Sequence, residues 1–346
     1  MKLDPTSLQS GVNLGGWLSQ YSAYDYAHFD SFITAADLHR IADWGCDHVR
    51  LPVDYPLIEE ENHPGRPNER GFEYIQRGLD WAHQCGLKVI LDLHRAPGYI
   101  FDNYQAATLF NDESQQTRFL DIWSFLSGRL GGTSDWLAFE LLNEIVLPDS
   151  APWNRLLAKA VERIRQVDLE RLIVIGGNYY NSVGELANLT FLADPNILYT
   201  FHFYEPLVVT HQKAHWARGV VEYDRNMEYP GIAPGLSEFV GQHPEFASIL
   251  GRSAGVRLDR STLHELLQPA FEFMQEHHCP LYCGEYGVID LASMPTRLNW
   301  TRDFVSLLKE HSIGRAAWSY KAMDFGLVDR DGRPASQELI DIVCGD

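Results

Sequence analysis

The chain has 346 residues, 45% of them hydrophobic, enough for a sizeable core in one large domain or two ordinary ones. Its formal net charge of −19 argues against nucleic acid, anionic membrane surfaces and polyanionic substrates, because phosphate binding needs clustered Lys and Arg. A neutral ligand fits better, and 12% aromatic content with nine Trp suits something flat to stack upon.

In chain order, short strand-like runs fall at 11–14, 47–51, 88–93, 136–142, 172–175, 197–203, 280–284 and 315–318. Between them lie amphipathic stretches at 35–44, 72–84, 115–130, 153–167, 263–276 and 300–310, with apolar residues at helical spacing, as in Phe119, Ile122, Trp123, Phe125 and Leu126. Gly45, Gly86 and the pair Gly131-Gly132 stand where helices should stop. Strands alternating with helices imply a parallel sheet, and eight such units predict an α/β fold, a closed (β/α)₈ TIM barrel. A doubly wound open sheet is the alternative, but no Gly-rich phosphate fingerprint follows the early strands.

The interval between the sixth and seventh strands is far longer than any other. Its excess, 205–260, is rich in aromatics and glycines and has a helical patch at 236–250. Long loops in compact folds serve as lids or binding elements, so the expectation is one catalytic domain over 1–346 with a small insertion subdomain over its active-site face.

The five cysteines (46, 85, 279, 283 and 344) are odd in number and read as buried free thiols. Cys279-Pro-Leu-Tyr-Cys283 has no second cysteine or histidine pair, so no zinc site is expected. No apolar run reaches membrane-spanning length. Met1-Lys-Leu-Asp-Pro5 is not a hydrophobic leader, so the expectation is a cytoplasmic protein as written, or a secreted one whose leader was removed.

Two apolar runs end in a carboxylate: 138–144 closes on Glu144 and 281–285 on Glu285. Burying an ionised group is costly unless it is paired or does chemistry. In such barrels the active site is built at the C-terminal ends of the strands, which carry Arg50, His94, Asn143-Glu144, His202 with Tyr204, Glu285 and Trp318. Each has a plainer reading. Glu144 alone could cap a helix, and Glu285 alone could be a buried ion-pair partner. Found together, they point to a pair that splits glycosidic bonds. Arg50 beside Glu285 serves equally a structural ion pair or a nucleophile kept ionised, and the sequence does not separate the two. His94 and His202 read as core histidines or as pocket residues. Tyr204 shares a strand face with His202, and Trp318 reads as packing or as a sugar platform. Asp92 and Glu140 share parity with His94 and Glu144 and are assigned to structure.

Asn143-Glu144, Gly284-Glu285-Tyr286-Gly287, His202-Phe203-Tyr204, Arg50 and Trp318 together resemble glycoside hydrolase family 5, cellulase family A, and within it the endoglucanase C type. Gly11-Val-Asn-Leu-Gly-Gly-Trp17, Asp47-His-Val-Arg-Leu-Pro52, Ala96-Pro-Gly98, His211-Gln-Lys-Ala-His-Trp216 and Ser336-Gln-Glu-Leu339 add to the likeness, which spans essentially the entire chain. Ile145 departs from it, where the family usually has Pro or Val after the acid.

The resemblance implies a retaining β-glycosidase of cellulase type without a cofactor or metal. By it, Glu144 is the general acid/base, Glu285 the nucleophile and Asn143 the residue that bonds the sugar's 2-hydroxyl. Arg50, His94, His202, Tyr204 and Trp318 then line the subsite where the bond breaks. Outer subsites call for loop aromatics, and Trp17, Tyr21, Tyr99, Tyr104, Trp153, Tyr179 and Trp216 are candidates, Trp17 and Trp216 foremost. The expected substrate is β-1,4 or mixed β-1,3/1,4-glucan cut endo-wise by a monomer, with mannan or another β-glycan as the alternative. Two other classes are weighed: a metal-dependent barrel hydrolase, weakened by the lack of His-x-His after strand one, and a non-catalytic carbohydrate-binding barrel, weakened because both carboxylates are present.

Overall fold

Eight parallel strands close on themselves in the computed structural model, which describes residues 2–345. They are β1 (Ser10–Asn13), β2 (His48–Asp54), β3 (Lys88–Arg95), β4 (Leu137–Glu140), β5 (Ile173–Gly176), β6 (Ile197–Phe203), β9 (Leu281–Tyr286) and β10 (Gly314–Ala317). The last strand pairs with the first, so the order round the barrel is β1-β10-β9-β6-β5-β4-β3-β2. The expected closed barrel is the one found, and the open sheet is excluded. β7 (Gly231–Ile232) and β8 (Arg257–Leu258) form a separate antiparallel pair within the long interval.

Two apolar clusters follow from the two-residue alternation along the strands. One joins Ile90, Ala138, Val174, Leu198, Tyr282 and Ala316, each from a different barrel strand, with Leu3 and Leu8 from below; it fills the lower interior. The larger one lies between the strands and the surrounding helices, where Leu79, Trp123, Phe139, Ile164, Ile175 and Phe304 meet.

Helices begin where short polar side chains satisfy free N–H groups. Asn68 accepts from Gly71, Asp112 from Ser114 and Ser336 from Leu339. The predicted helix at 263–276 is two helices, Arg260–Leu266 and Gln268–His277, because Pro269 cannot donate and restarts the turn.

The 205–260 stretch is a chain of short helices around the β7–β8 pair. It is tied to the helix Met294–Glu310 by Tyr229, whose N–H donates to Thr296 Oγ1 at 3.0 Å and whose hydroxyl donates to Asp303 at 2.9 Å. Its root touches Tyr204, with the His211 ring 5.1 Å away and edge-on. Among the described residues, no helix is long and apolar enough to cross a membrane.

Candidate active site

The upper interior of the barrel is built around one guanidinium. Arg50, on the inward face of β2 and fully buried, is held in a fork: Nε donates to Glu140 Oε2 at 2.7 Å and Nη2 to Glu140 Oε1 at 2.9 Å. Nη1 donates to Glu285 Oε1 at 2.8 Å and to Asn13 Oδ1 at 3.0 Å; Nη2 also reaches Asn143 Oδ1 at 2.9 Å and Asp92 Oδ2 at 3.1 Å. A buried cation is tolerable only when its donors are met, and here every one of its nitrogens has a partner. Asp92 and Glu140 are thus supports, as parity suggested. Asn13, the inward-facing last residue of β1, is a member of the site that the apolar-run pattern of the sequence does not mark. Its amide also donates to the Gly284 carbonyl at 2.9 Å, tying β1 to the strand that carries Glu285.

Glu285 reaches the site through an irregularity. Simple alternation from Tyr282 would turn residues 284 and 286 inward and 285 outward. The register shifts against both neighbours: Phe201 pairs with Cys283 but His202 with Glu285, and Arg315 with Cys283 but Ala317 with Tyr286. The extra residue in β9 brings Glu285 level with His202. Gly284 is what permits it, since a Cβ there would lie 3.1 Å from His202 Nε2 and 3.0 Å from Thr200 Oγ1.

Glu144 does not belong to a strand. β4 ends at Glu140, short of the expected 142, so parity with Glu140 does not place it. It sits in the following loop at φ 36°, a left-handed conformation uncommon for a residue with a β-carbon. Buried Tyr99 clamps that loop: its hydroxyl donates to the Glu144 carbonyl at 2.6 Å and accepts from the Val146 N–H at 2.8 Å.

The two carboxylates face each other beside His202. One oxygen of each and one nitrogen of His202 lie within 4.8 Å of one another. His202 Nδ1 is 2.9 Å from Glu144 Oε1 and 3.6 Å from Glu285 Oε2. Tyr204, just past the end of β6 and two residues on from His202, donates to Glu285 Oε2 at 2.9 Å.

Electrostatics separates the pair. Burial pushes the Glu144 carboxyl well above its ordinary value, and the neighbouring Glu285 charge pushes the same way. Burial also raises Glu285, but there the Arg50 guanidinium and the hydrogen bond from the Tyr204 hydroxyl pull back. The shared proton therefore belongs to Glu144 and the negative charge to Glu285. Burial holds His202 well below the usual imidazole range and lowers His94 to about 3, so both rings are neutral.

His94 Nδ1 meets Asp92 at 2.7 Å, and its ring stacks on Trp318 with centroids 5.8 Å apart and planes 7° from parallel. Gly15 makes room for that indole, since a Cβ there would meet Trp318 at 2.7 Å. His94 Nε2 and Asn143 Nδ2 are buried without partners, the form taken by polar atoms that await a ligand's hydroxyls.

The structure thus gathers Arg50, His94, Asn143, Glu144, His202, Tyr204, Glu285 and Trp318. It does not gather all the outer aromatics. Trp17 is a correction: it is fully buried, its indole donates to the Phe29 carbonyl at 2.9 Å, and it stacks on Trp81 at 6.0 Å. It packs beneath the loops and cannot reach a sugar. Trp153 is likewise fully buried and donates to Gly176. Trp216 stands exposed in the 205–260 stretch beside His211 and His215, and Tyr104 and Tyr179 are also exposed.

Residues 9–324 match the family model for cellulase, glycosyl hydrolase family 5. The chain is 47% identical to endoglucanase C of Acetivibrio thermocellus over 98% of each chain. It is 33% identical to cellodextrinase A of Ruminococcus flavefaciens over 88% of this chain and 83% of that one. In fold it resembles the solved endoglucanase of Thermotoga maritima, with a TM-score of 0.79 and 24% identity over 98% of both chains. An enzyme with this relationship is not a non-catalytic binding barrel. The chain belongs to glycoside hydrolase family 5 and is a glycoside hydrolase of the cellulase type.

Proposed function

We propose that this enzyme cuts β-1,4-linked or mixed β-1,3/1,4-linked glucan inside the chain, with retention at the anomeric carbon. The observation that carries the reading is the Glu144–Glu285 pair, close together in space and opposite in charge preference. Retaining glycosidases hold their carboxyls about 5–5.5 Å apart, while inverting ones need about 6.5–9.5 Å to admit a water. Oxygens within 4.8 Å favour the narrow class.

In the first step Glu144 donates its proton to the glycosidic oxygen as Glu285 Oε2 or Oε1 attacks the anomeric carbon, forming a glycosyl ester and releasing the leaving sugar's hydroxyl. With the Glu285 charge consumed in that ester, one cause of the high proton affinity of Glu144 is gone, so the carboxylate left by the proton donation can act as a base. It then takes a proton from water, whose oxygen attacks the same carbon and frees Glu285. Asn143 Nδ2 and His94 Nε2 hold hydroxyls of the reacting sugar, and Trp318 lies under its C–H face. Trp216 and the 205–260 stretch wall the cleft beyond Tyr204. No step calls for a metal or cofactor.

Proton NMR during hydrolysis of cello-oligosaccharides tests the mechanism: the β-anomer appears first if the reading holds, and early α-anomer overturns it. Reducing-end release from barley glucan, carboxymethylcellulose and mannan tests the substrate. Faster release from mannan would replace the glucan assignment.

A further inference from the structure

Two thiols meet at the foot of the barrel. Cys46 stands just before β2, and Cys344 ends the helix Gln337–Cys344 that follows β10. Both are buried and free, and their Sγ atoms lie 2.9 Å apart. That is closer than the ~3.5–4.0 Å at which even carbon atoms pack, so the contact is tighter than apolar filling requires. A sulfur–sulfur bond is about 2.05 Å long, and the two atoms need to close by less than about 1 Å to form one. The backbone is fitted to this meeting of residues 298 apart in the chain. Gly45 turns at φ 92°, and a Cβ on it would lie 3.4 Å from the Cys344 carbonyl oxygen. Ser10 Oγ, on β1, donates to the Val343 carbonyl at 2.8 Å, and Arg315 Nη2, on β10, donates to the Val343 and Gly345 carbonyls at 3.4 and 3.3 Å.

Among the described residues, no other pair of cysteine sulfurs makes such a contact. Cys283 is buried with its Sγ 3.3 Å from the Glu285 carbonyl, and half-buried Cys85 meets His39 Nδ1 at 3.4 Å. Hydrogen bonding to the Cys344 thiol, together with burial, pushes the Cys46 thiol above its ordinary value. A thiol that resists ionisation is a poor nucleophile towards outside reagents, so proximity and not reactivity distinguishes the pair. Neither sulfur belongs to the catalytic site, which is built at the other end of the strands.

We propose that Cys46 and Cys344 are a disulfide-forming pair, closed by exchange with a low-molecular-weight disulfide and opened by a dithiol, and that the bond locks the seam of the barrel. One protein thiol gives up its proton and attacks a sulfur of the small disulfide, forming a mixed disulfide and releasing one small thiol. The second protein thiol then gives up its proton and attacks the first protein sulfur, expelling the other small thiol. Two electrons pass from the protein to the reagent, and one protein S–S bond replaces the reagent's own. The pairing of β1 with β10 is what closes the barrel, and Val343, next to Cys344, already accepts from both strands. The covalent loop 46–344 holds every barrel strand except β1. Its bond acts chiefly by restricting the unfolded chain, so it stabilises without touching the catalytic groups.

The test incubates the whole folded protein with excess oxidised glutathione at about pH 8.5, the ordinary thiol value, beside a sample kept in dithiothreitol. Each sample is then unfolded, alkylated and digested without reduction for mass spectrometry. The expected result is a fragment joining Cys46 to Cys344 in the oxidised sample only. With it, Tm should rise by about 5 °C or more, and kcat/KM on carboxymethylcellulose should change by less than about twofold. Dithiothreitol should reverse both the fragment and the Tm. Cys46→Ala and Cys344→Ala should each abolish the joined fragment and the Tm difference between oxidised and reduced protein. The wild-type comparison stands without them if either variant fails to fold. Recovery of Cys46 and Cys344 as free or glutathione-capped thiols overturns the proposal, as does a bond from either one to Cys85, Cys279 or Cys283. A joined fragment with no rise in Tm, or with loss of activity, overturns the lock.

Discussion

In the lower barrel interior, His48 has a partner on each ring nitrogen, Asp47 at 2.6 Å and the Tyr282 hydroxyl at 2.7 Å. In the upper interior, His94 has one partner and one empty nitrogen, and Asn143 has an amide nitrogen with none. The same strands supply both levels: β2 contributes His48 below and Arg50 above, and β9 contributes Tyr282 below and Glu285 above. Below, His48, Asp47 and the Tyr282 hydroxyl satisfy one another and only stabilise. Above, the groups are held rigidly by Arg50 but left incomplete, and four buried carboxyls there, Asp92, Glu140, Glu144 and Glu285, all have their proton affinity raised by burial. That is the usual cost of a site: stability given up so that a ligand completes the hydrogen bonding.

The largest effect should come from Glu285→Gln. Activity on glucan should fall by on the order of 10⁴-fold or more while the circular dichroism spectrum is unchanged. Substantial turnover would show that the upper level is merely another buried cluster.

Arg50→Lys comes next. A lysine cannot fork to Glu140 and reach Glu285 together, so kcat/KM should drop by about 10²–10³-fold. The wild-type profile should be bell-shaped. Its acid limb follows Glu285, which must be an anion; its alkaline limb follows Glu144, which must keep its proton. Both are raised, so activity is lost on acidification at a pH above the ordinary glutamate value of about 4.3. Arg50→Lys should move the acid limb upward; an unmoved limb would mean that the guanidinium does not hold that charge.

Tyr99→Phe removes both bonds to the Glu144 loop and should lower kcat by about tenfold with KM little changed, since it acts through the acid's position. A change confined to KM would contradict a positioning role.

Stability offers a smaller, opposite signature. Glu144 has a raised folded value, so its contribution is full below about pH 4.3 and is lost as pH rises through the folded value. Glu144→Gln should therefore raise Tm by about 2 °C at pH 8 and by less at pH 5, read by calorimetry. The lower level should behave conversely: Tyr282→Phe leaves His48 Nε2 unmet, costing about 1–2 kcal/mol of stability with kcat/KM unchanged.

Much was legible in the chain because burial leaves simple periodic marks. Alternating strand and helix patterns predicted eight units, and the polar residues that interrupt apolar strands marked Arg50, His94, His202 and Tyr204 on faces that parity alone assigns. Trp17 misled because a Gly-Gly-Trp motif at a strand end looks like a rim platform, whereas the indole turns back under the loop onto Trp81.

Composition, strand period and the two carboxylate-ended runs were enough to define a neutral-ligand barrel with an acidic pair at its mouth. They carried that far because each mark is local: a side chain's polarity against the face it must occupy. Which way Glu285 points depended on a register shift against two other strands, where Glu144 sits depended on Tyr99 holding a loop, and which of the two keeps the proton depended on Arg50 approaching only one. Those are relations among groups 31 to 235 residues apart in the chain. Electrostatic and steric forces act across space, so they are set only once the barrel has closed.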